Sequence, residues 1–349
     1  MSSIGVMTFL HNGNYGSSLQ AYALQRVLRE MGHDCEHIDY APDVGEKIRN
    51  LLFCGNSPRL LLDGRKKKQV RASQEGMREK FRRIDGFYGR QMQLSAPCRN
   101  RRDLKAVSAS YDVLLCGSDQ IWNPVWLNPA YFLDFAEPSK TRIAYAPSLG
   151  VSFVPGRHKQ RIIRRRTALF DAISVREEEG ARMLVAITGE RPPVMPDPVC
   201  LLTRADWENL AAPVEGHSHC LLCYFIGENP IYWDRVRVLT EKTGLEPLVI
   251  PVTAESYNQS EFPLLDGAGP EEFLGAFLEA DLICTDSFHG LAFGTIFGKK
   301  TDLIRRYRED DRESKNSRVD HFMREIRVKG LEAMRQEGTE WLARQLGQL

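Results

Sequence analysis

The sequence predicts an α/β fold of two doubly wound, Rossmann-like domains facing one another across a cleft. Three observations predict it: apolar strand patterns alternate with helical ones, two of the strands run into polar strand-to-helix turns, and a proline-rich break separates two such sets. A length of 349 residues also exceeds what one core usually fills. The expected domains are 1–198 and 199–349.

The first set opens as a βαβ unit. Ile4 to Leu10 alternates as a strand, Leu19, Tyr22, Ala23, Val27 and Met31 recur at helical spacing until Gly32, and His33 to Tyr40 reads as the second strand. The loop between them, HNGNYGSS, lies where this fold offers backbone N–H groups to a ligand. Its glycines at 13 and 16 do not make GxGxxG, so a dinucleotide site is not supported. From about 45 to 105 the chain turns charged and helical, with Phe81, Ile84, Phe87 and Tyr88 as an apolar stripe, and reads as an excursion from the first domain's sheet. Strand character resumes in DVLLCGSDQIW (Asp112 to Trp122), then in Arg142 to Ala146 and Ala172 to Val175, with a basic helix between the last two. The four prolines from Pro192 to Pro198 cannot continue a helix and mark the domain boundary.

The second set reads as strand Cys220 to Ile226, helix Ile231 to Thr243, strand Pro247 to Val252, helix Pro270 to Ala280 and strand Asp281 to Thr285. Helix Leu291 to Phe297 and strand Thr301 to Ile304 follow. Two last helices, about 317–327 and 331–346, are expected, and the pattern leaves open which domain they join.

Hydrophobic residues at 42% and charged ones at 27% fit an ordinary globular chain, with no run near the roughly 18 apolar residues of a membrane span. The start, MSSIGVMTFLHNG, enters a strand without a basic leader, so the expected location is cytoplasmic, with the inner face of the membrane as a peripheral option. A net charge of +1 argues against a dedicated nucleic-acid binder. The basic stretches RKKK (Arg65 to Lys68) and RIIRRR (Arg161 to Arg166) read ordinarily as solvated helix faces, and more sharply as contacts to a membrane surface or an anionic lipid-linked substrate. The eight cysteines are scattered, and Cys116, Cys223 and Cys284 fall inside apolar strand patterns, so no disulfide framework is expected. His217, His219, Cys220 and Cys223 resemble a metal cluster, but Cys220 and Cys223, three apart on a strand, project to opposite faces, and no metal is assigned.

The most informative segment is DLICTDSFHGLAFGTIFG, Asp281 to Gly298, where a strand enters a polar turn and then a small-residue helix. His289 sits in that turn, where an imidazole can move a proton on a bound anion. The blocks NYGSSLQAYAL, GSDQIWNP, YFLDF, IAYAPSLG, ISVRE, DP and TDSFHGLAFGTIFGKK, in this order from Asn14 to Lys300, resemble the polysaccharide pyruvyl transferase family. GSDQIWN together with SFHG carries the specificity of that resemblance.

The resemblance implies a glycosyltransferase-B-like arrangement and a transfer of the enolpyruvyl carbons of phosphoenolpyruvate to two hydroxyls of a sugar. The product is a cyclic ketal, phosphate is released, and phosphoenolpyruvate is a donor substrate with no further cofactor. It implies a nucleotide-linked or lipid-linked saccharide acceptor on the first domain and phosphoenolpyruvate on the second, in surface polysaccharide synthesis; the oligomeric state stays open. In that chemistry His289 is the candidate acid, Ser287 and the N–H groups of Gly290 and Leu291 candidate phosphate contacts, and Asp286 either orients the imidazole or caps the helix. Some members carry Arg where this chain has Ser287, and the candidate substitutes are Arg176 and Arg318, with structural ion pairing as the alternative. Ser118, Asp119 and Gln120 are candidates for gripping sugar hydroxyls, with Asp119 as the base or a turn cap. Trp122 is a stacking face or, more usually, core. Asn12, Asn14 and Tyr15 are candidate acceptor contacts, although turn formation by Asn and Gly explains them nearly as well. Two other functions stay open: a nucleotide-sugar glycosyltransferase, and a saccharide-binding protein without turnover.

Overall fold

In the computed structural model, which describes residues 2–60, 62, 74–259, 261–306 and 317–347, β1 (Ser3–Met7) leads into the helix Tyr15–Glu30 and on to β2 (Asp34–His37). The strand stops at Met7, short of the expected Leu10, and in the loop that follows His11 and Gly13 take left-handed conformations, φ 56° and 72°. The helix starts four residues ahead of its apolar stripe because the Asn14 side chain caps it, accepting from Ser17 N. β3 (Val113–Cys116), β4 (Thr141–Ala144) and β5 (Ala172–Ile173) complete a sheet of order β2-β1-β3-β4-β5, parallel throughout. A second parallel sheet, β7-β6-β8-β9, is built from β6 (Leu221–Tyr224), β7 (Pro247–Val249), β8 (Leu282–Thr285) and β9 (Lys300–Leu303). The expected α/β class with two Rossmann-like sheets is the observed one.

Strand order matters for function. Connections run to opposite sides from β1 and β3 in the first sheet and from β6 and β8 in the second, so each sheet has a switch point beyond the carboxyl ends of those strands, where such folds bind ligands.

The chain divides into one unit of Met1–Gly64, Tyr88–Leu201 and Asp310–Leu349, and another of Arg65–Phe87 and Leu202–Glu309. One open point is filled and one expectation changes in detail. The terminal helices Ser317–Val328 and Gly330–Gly347 join the first unit, where Trp341 packs on Tyr145 with ring centroids 5.8 Å apart. The amino-terminal part of the helix Glu75–Gln91, expected with the first sheet, joins the second unit: Arg83 Nη1 pairs with Glu272 Oε1 at 2.5 Å, and Gly76 lies so close to Asp266 that a Cβ would meet its carboxylate. The RKKK stretch lies outside the described residues.

In the second unit Tyr224 meets Phe273 and Phe277 edge to face, Phe293 meets both of these and Trp207 in the same way, and Phe273 and Phe277 lie tilted against each other. Cys116, Cys223 and Cys284 are fully buried thiols whose pKa values burial raises, as small apolar side chains require.

His37 closes β2 fully buried, its Nε2 2.9 Å from Ala21 O, and burial lowers its pKa to about 4. The unfolded chain, titrating near the ordinary 6.5, therefore binds the proton that the folded one refuses between those values. Stability is full above the unfolded value and falls as pH drops toward the folded one, by about 2 kcal/mol between about pH 7 and pH 4.5. Urea unfolding at both pH values should show His37→Gln losing this part of the acid sensitivity; an identical pH slope in the variant would refute the assignment.

Candidate functional site

Each switch point is held by a carboxylate. In the first unit Gly117 leaves β3 at φ +130°, and a Cβ there would lie 1.9 Å from Tyr145 O, so only glycine fits. Asp119 follows in the left-handed region, φ 63°. Its Oδ2 accepts from Ser17 Oγ at 2.5 Å and its Oδ1 from Gln120 N at 2.7 Å. Asn12 Nδ2 donates to the same Ser17 Oγ at 3.0 Å, while Asn12 Oδ1 accepts from Asn14 N at 2.9 Å. The loops after β1 and β3 are thus laced together around Asp119, which is 7% exposed.

Several predicted contacts have structural places instead. Ser118 is fully buried, its hydroxyl donating to Ala146 O at 2.6 Å and its N–H to Gln20 Oε1 at 2.9 Å, so it presents no hydroxyl to a ligand. Tyr15 is buried at 1% exposure in the first turn of its helix and offers no accessible face to a sugar. Trp122 is core, stacked on Phe132 at 4.8 Å and donating to Tyr131 O.

Gln120 and Arg318 meet. With the amide oriented to present its carbonyl, Gln120 Oε1 accepts from Arg318 Nη1 and Nη2 at 2.8 and 3.1 Å. Arg176 is 3% exposed, with Nη1 on Asp197 Oδ2 and Nε 3.8 Å from Glu177 Oε2. Burial works against its charge, but Asp197, Asp119 and Glu177 together hold its pKa above the ordinary value. Glu177 in turn accepts from Ser148 Oγ and Leu149 N at 2.9 and 3.1 Å. At the carboxyl ends of β1 and β2, His11 Nε2 lies 2.7 Å from Asp39 Oδ1, with the imidazole about one-third exposed.

In the second unit Asp286 binds the neighbouring turn rather than the helix end. Its Oδ1 accepts from Ile226 N at 2.7 Å, and its Oδ2 from Gly227 N, Tyr232 OH and Arg306 Nε at 2.8, 2.9 and 2.7 Å. Gly227 has no room for a Cβ between Tyr232 OH and Asp286. The cap of the helix Phe288–Ile296 is Ser287, whose Oγ accepts from Gly290 N at 3.3 Å. Leu291 N donates to Ser287 O at 3.0 Å. The Gly290 and Leu291 N–H groups expected to meet phosphate are therefore used within the helix, and Gly290 is required because a Cβ would lie 2.4 Å from Thr285 Oγ1. His289 occupies the second position of this helix, 5% exposed, its ring edge-on to Phe288 at 5.1 Å.

The sequence reading missed four participants. Ser17 lies inside the quoted NYGSS loop, and Asp197 is the Asp of the DP block, so both had a signal. Tyr232 had none. Arg306 follows β9 in LIRR and is a cation on the Asp286 turn, whereas Arg176 and Arg318 both belong to the first unit. Around His219 a different picture holds from a metal centre: Nδ1 pairs with Asp281 Oδ2 at 3.1 Å while Cys220 and Cys223 are buried. Among the described residues no group of three or more His, Cys, Asp or Glu is gathered to hold a metal.

Residues 14–301 match the model of a family described as polysaccharide pyruvyl transferase. No curated protein matches the sequence significantly. Among solved structures the chain is similar to S. aureus MnaA with UDP (TM-score 0.54, 10% identity, 100% of this chain and 98% of that one). It is similar also to UDP-GlcNAc 2-epimerase from Neisseria meningitidis bound to UDP-GlcNAc (TM-score 0.50, 10% identity, 100% of both chains). An alpha-glucosyltransferase in complex with UDP-glucose and DNA containing an abasic site gives TM-score 0.50 at 9% identity, over 98% of this chain and 95% of that one. At such identities the likeness is one of fold, that of GT-B glycosyltransferases and epimerases.

Proposed function

The chain belongs to the polysaccharide pyruvyl transferase family, and we propose that it moves the enolpyruvyl group of phosphoenolpyruvate onto two hydroxyls of a saccharide to form a cyclic ketal with release of phosphate, in surface polysaccharide synthesis. The observation that carries this reading is His289 at the start of the helix that leaves the second sheet's switch point, beside the Asp286–Arg306 pair. In the reaction a proton adds to the methylene carbon and one sugar hydroxyl adds to the adjacent carbon. The second hydroxyl then replaces phosphate at that carbon, and both hydroxyl protons leave with base or phosphate. His289 is the proton donor in this scheme, and Arg306 supplies positive charge on the same turn. Asp119, with Gln120 and Ser17, is the candidate for receiving a hydroxyl proton of the acceptor, and Arg318 for holding an anionic group. Atoms balance without any further cofactor. The nucleotide or nucleotide sugar named with each of the three similar structures supports a nucleotide-linked acceptor.

A thermal-shift experiment with phosphoenolpyruvate, nucleotides and nucleotide sugars, alone and paired, tests the reading, because stabilisation grows with ligand concentration over Kd. Phosphoenolpyruvate should raise the unfolding midpoint, and one nucleotide sugar added with it should yield free phosphate. Shifts from nucleotide sugars alone, with none from phosphoenolpyruvate in any pairing, would replace the proposal with a glycosyltransferase. Binding of both without phosphate release would replace it with a non-catalytic binder.

A further inference from the structure

The helix Val44–Cys54 is amphipathic the wrong way round. Its buried face carries Glu46, Asn50 and Cys54, while Val44, Ile48 and Leu52, at the same four-residue spacing, stand outside at 70%, 43% and 73% exposure, with Phe53 at 48%. The inner face is satisfied by polar contacts: Glu46 Oε1 accepts from Arg49 Nη2 at 2.8 Å, and Asp43 caps the helix. Nothing in helix packing requires the apolar outer ridge, and an exposed ridge of this kind marks a binding surface.

The neighbouring helix Arg157–Thr167 says what kind. It contains no acidic residue, and Arg157, Arg161 and Arg165 form an exposed stripe at four-residue spacing. It packs at the end of the ridge, where His158 Nε2 lies 2.9 Å from Phe53 O and the Arg166 guanidinium stands 5.8 Å over the Phe53 ring. Arg166 and Arg164 have partners in Asp134 and Ile187 O, which leaves the outer stripe as the charged border of the ridge. With a chain net charge of only +1, this basic density is local.

We propose that this face seats the protein on an anionic bilayer surface, with Val44, Ile48, Leu52 and Phe53 entering the headgroup boundary and Arg157, Arg161 and Arg165 held over the anionic headgroups. An exposed apolar ridge flanked by arginines is the form interfacial helices take. A second copy of the chain is disfavoured because a twofold contact would bring the two arginine stripes together. Membrane binding through this face requires no turnover and none of the residues placed in the reaction above.

The full chain is sedimented with phosphatidylcholine vesicles with and without about a third phosphatidylglycerol. Binding should require the anionic lipid and weaken with salt. Each charge near an anionic leaflet multiplies binding about fivefold, so the Arg161→Gln/Arg165→Gln pair should lose about 25-fold. Val44→Ser/Leu52→Ser should also lose binding, Ile231→Ser in the second unit should keep it, and all should melt near the parent midpoint because these side chains are exposed. Wild-type binding indifferent to anionic lipid, or ridge variants that bind as the parent does, would overturn the proposal. A dimer that dissociates in Leu52→Ser, without vesicle binding, would give the face to a second copy instead.

Discussion

His289→Asn should lower turnover about 10²–10⁴-fold, the span a positioned acid contributes, while phosphoenolpyruvate still produces a thermal shift. The effect is large because, in the proposed reaction, protonation of the methylene carbon is what opens the adjacent carbon to the first hydroxyl, and the second can replace phosphate only after that. Asn is preferred to Ala for a structural reason. The imidazole is only 5% exposed against Phe288, so truncation to Ala also opens a void, and a loss of activity in that variant alone would mix folding with chemistry. Retention of more than a tenth of the parent rate in either variant would remove His289 as the acid. Loss of the phosphoenolpyruvate shift with intact folding would instead make it a binding residue.

Periodicity and turn chemistry exposed most of the fold, because each strand and helix carries its own pattern in adjacent residues. Asn14 and Ser287 are polar residues just ahead of their helices, and both cap them. What adjacency cannot carry is which strands lie side by side. Arg306 reaches Asp286 because β9 runs parallel beside β8, so the residues leaving the two strands emerge together although 20 positions separate them. In the sequence LIRR looks like any basic surface pair. Arg176 reaches Asp197 by the same logic, since Val175 pairs in parallel with Val194 in the proline-rich segment, a pairing with no periodic signature. Asp286 shows the same limit: a carboxylate ahead of a helix suggests a cap or a partner for His289, whereas Ser287 is the cap and the neighbouring turn after β6 offers Asp286 two N–H groups and the Tyr232 hydroxyl. Glycines were ambiguous in the same way. Gly290 follows a histidine and suggests an open N–H, whereas its role is the close approach to Thr285.

Arg176→Ala should destabilise the chain by about 3–5 kcal/mol, the usual cost of leaving a buried charge without its partner. The side chains involved are at most 2% exposed, and the substitution leaves Asp197 and Glu177 as buried carboxylates with no cation between them. Urea unfolding measures the loss. The same residue is a candidate binder of the donor's anionic groups, and stability alone cannot separate the two roles. Replacing both partners does. In Arg176→Met/Asp197→Leu the two groups in direct contact leave together while Glu177 keeps its bonds from Ser148 and Leu149, and a pair that serves only the fold should return part of the lost stability, since a buried ion pair gains little over apolar residues of similar size. If that double variant folds and keeps the parent KM for phosphoenolpyruvate, Arg176 is structural and donor anchoring falls to other cations. If it folds with a KM raised tenfold or more, the guanidinium touches the donor as well as Asp197. The three carboxylates around it would then act to hold a buried cation in place, fixed by protein contacts before any ligand arrives, which is the condition under which a cation stabilises a developing charge without reorganising.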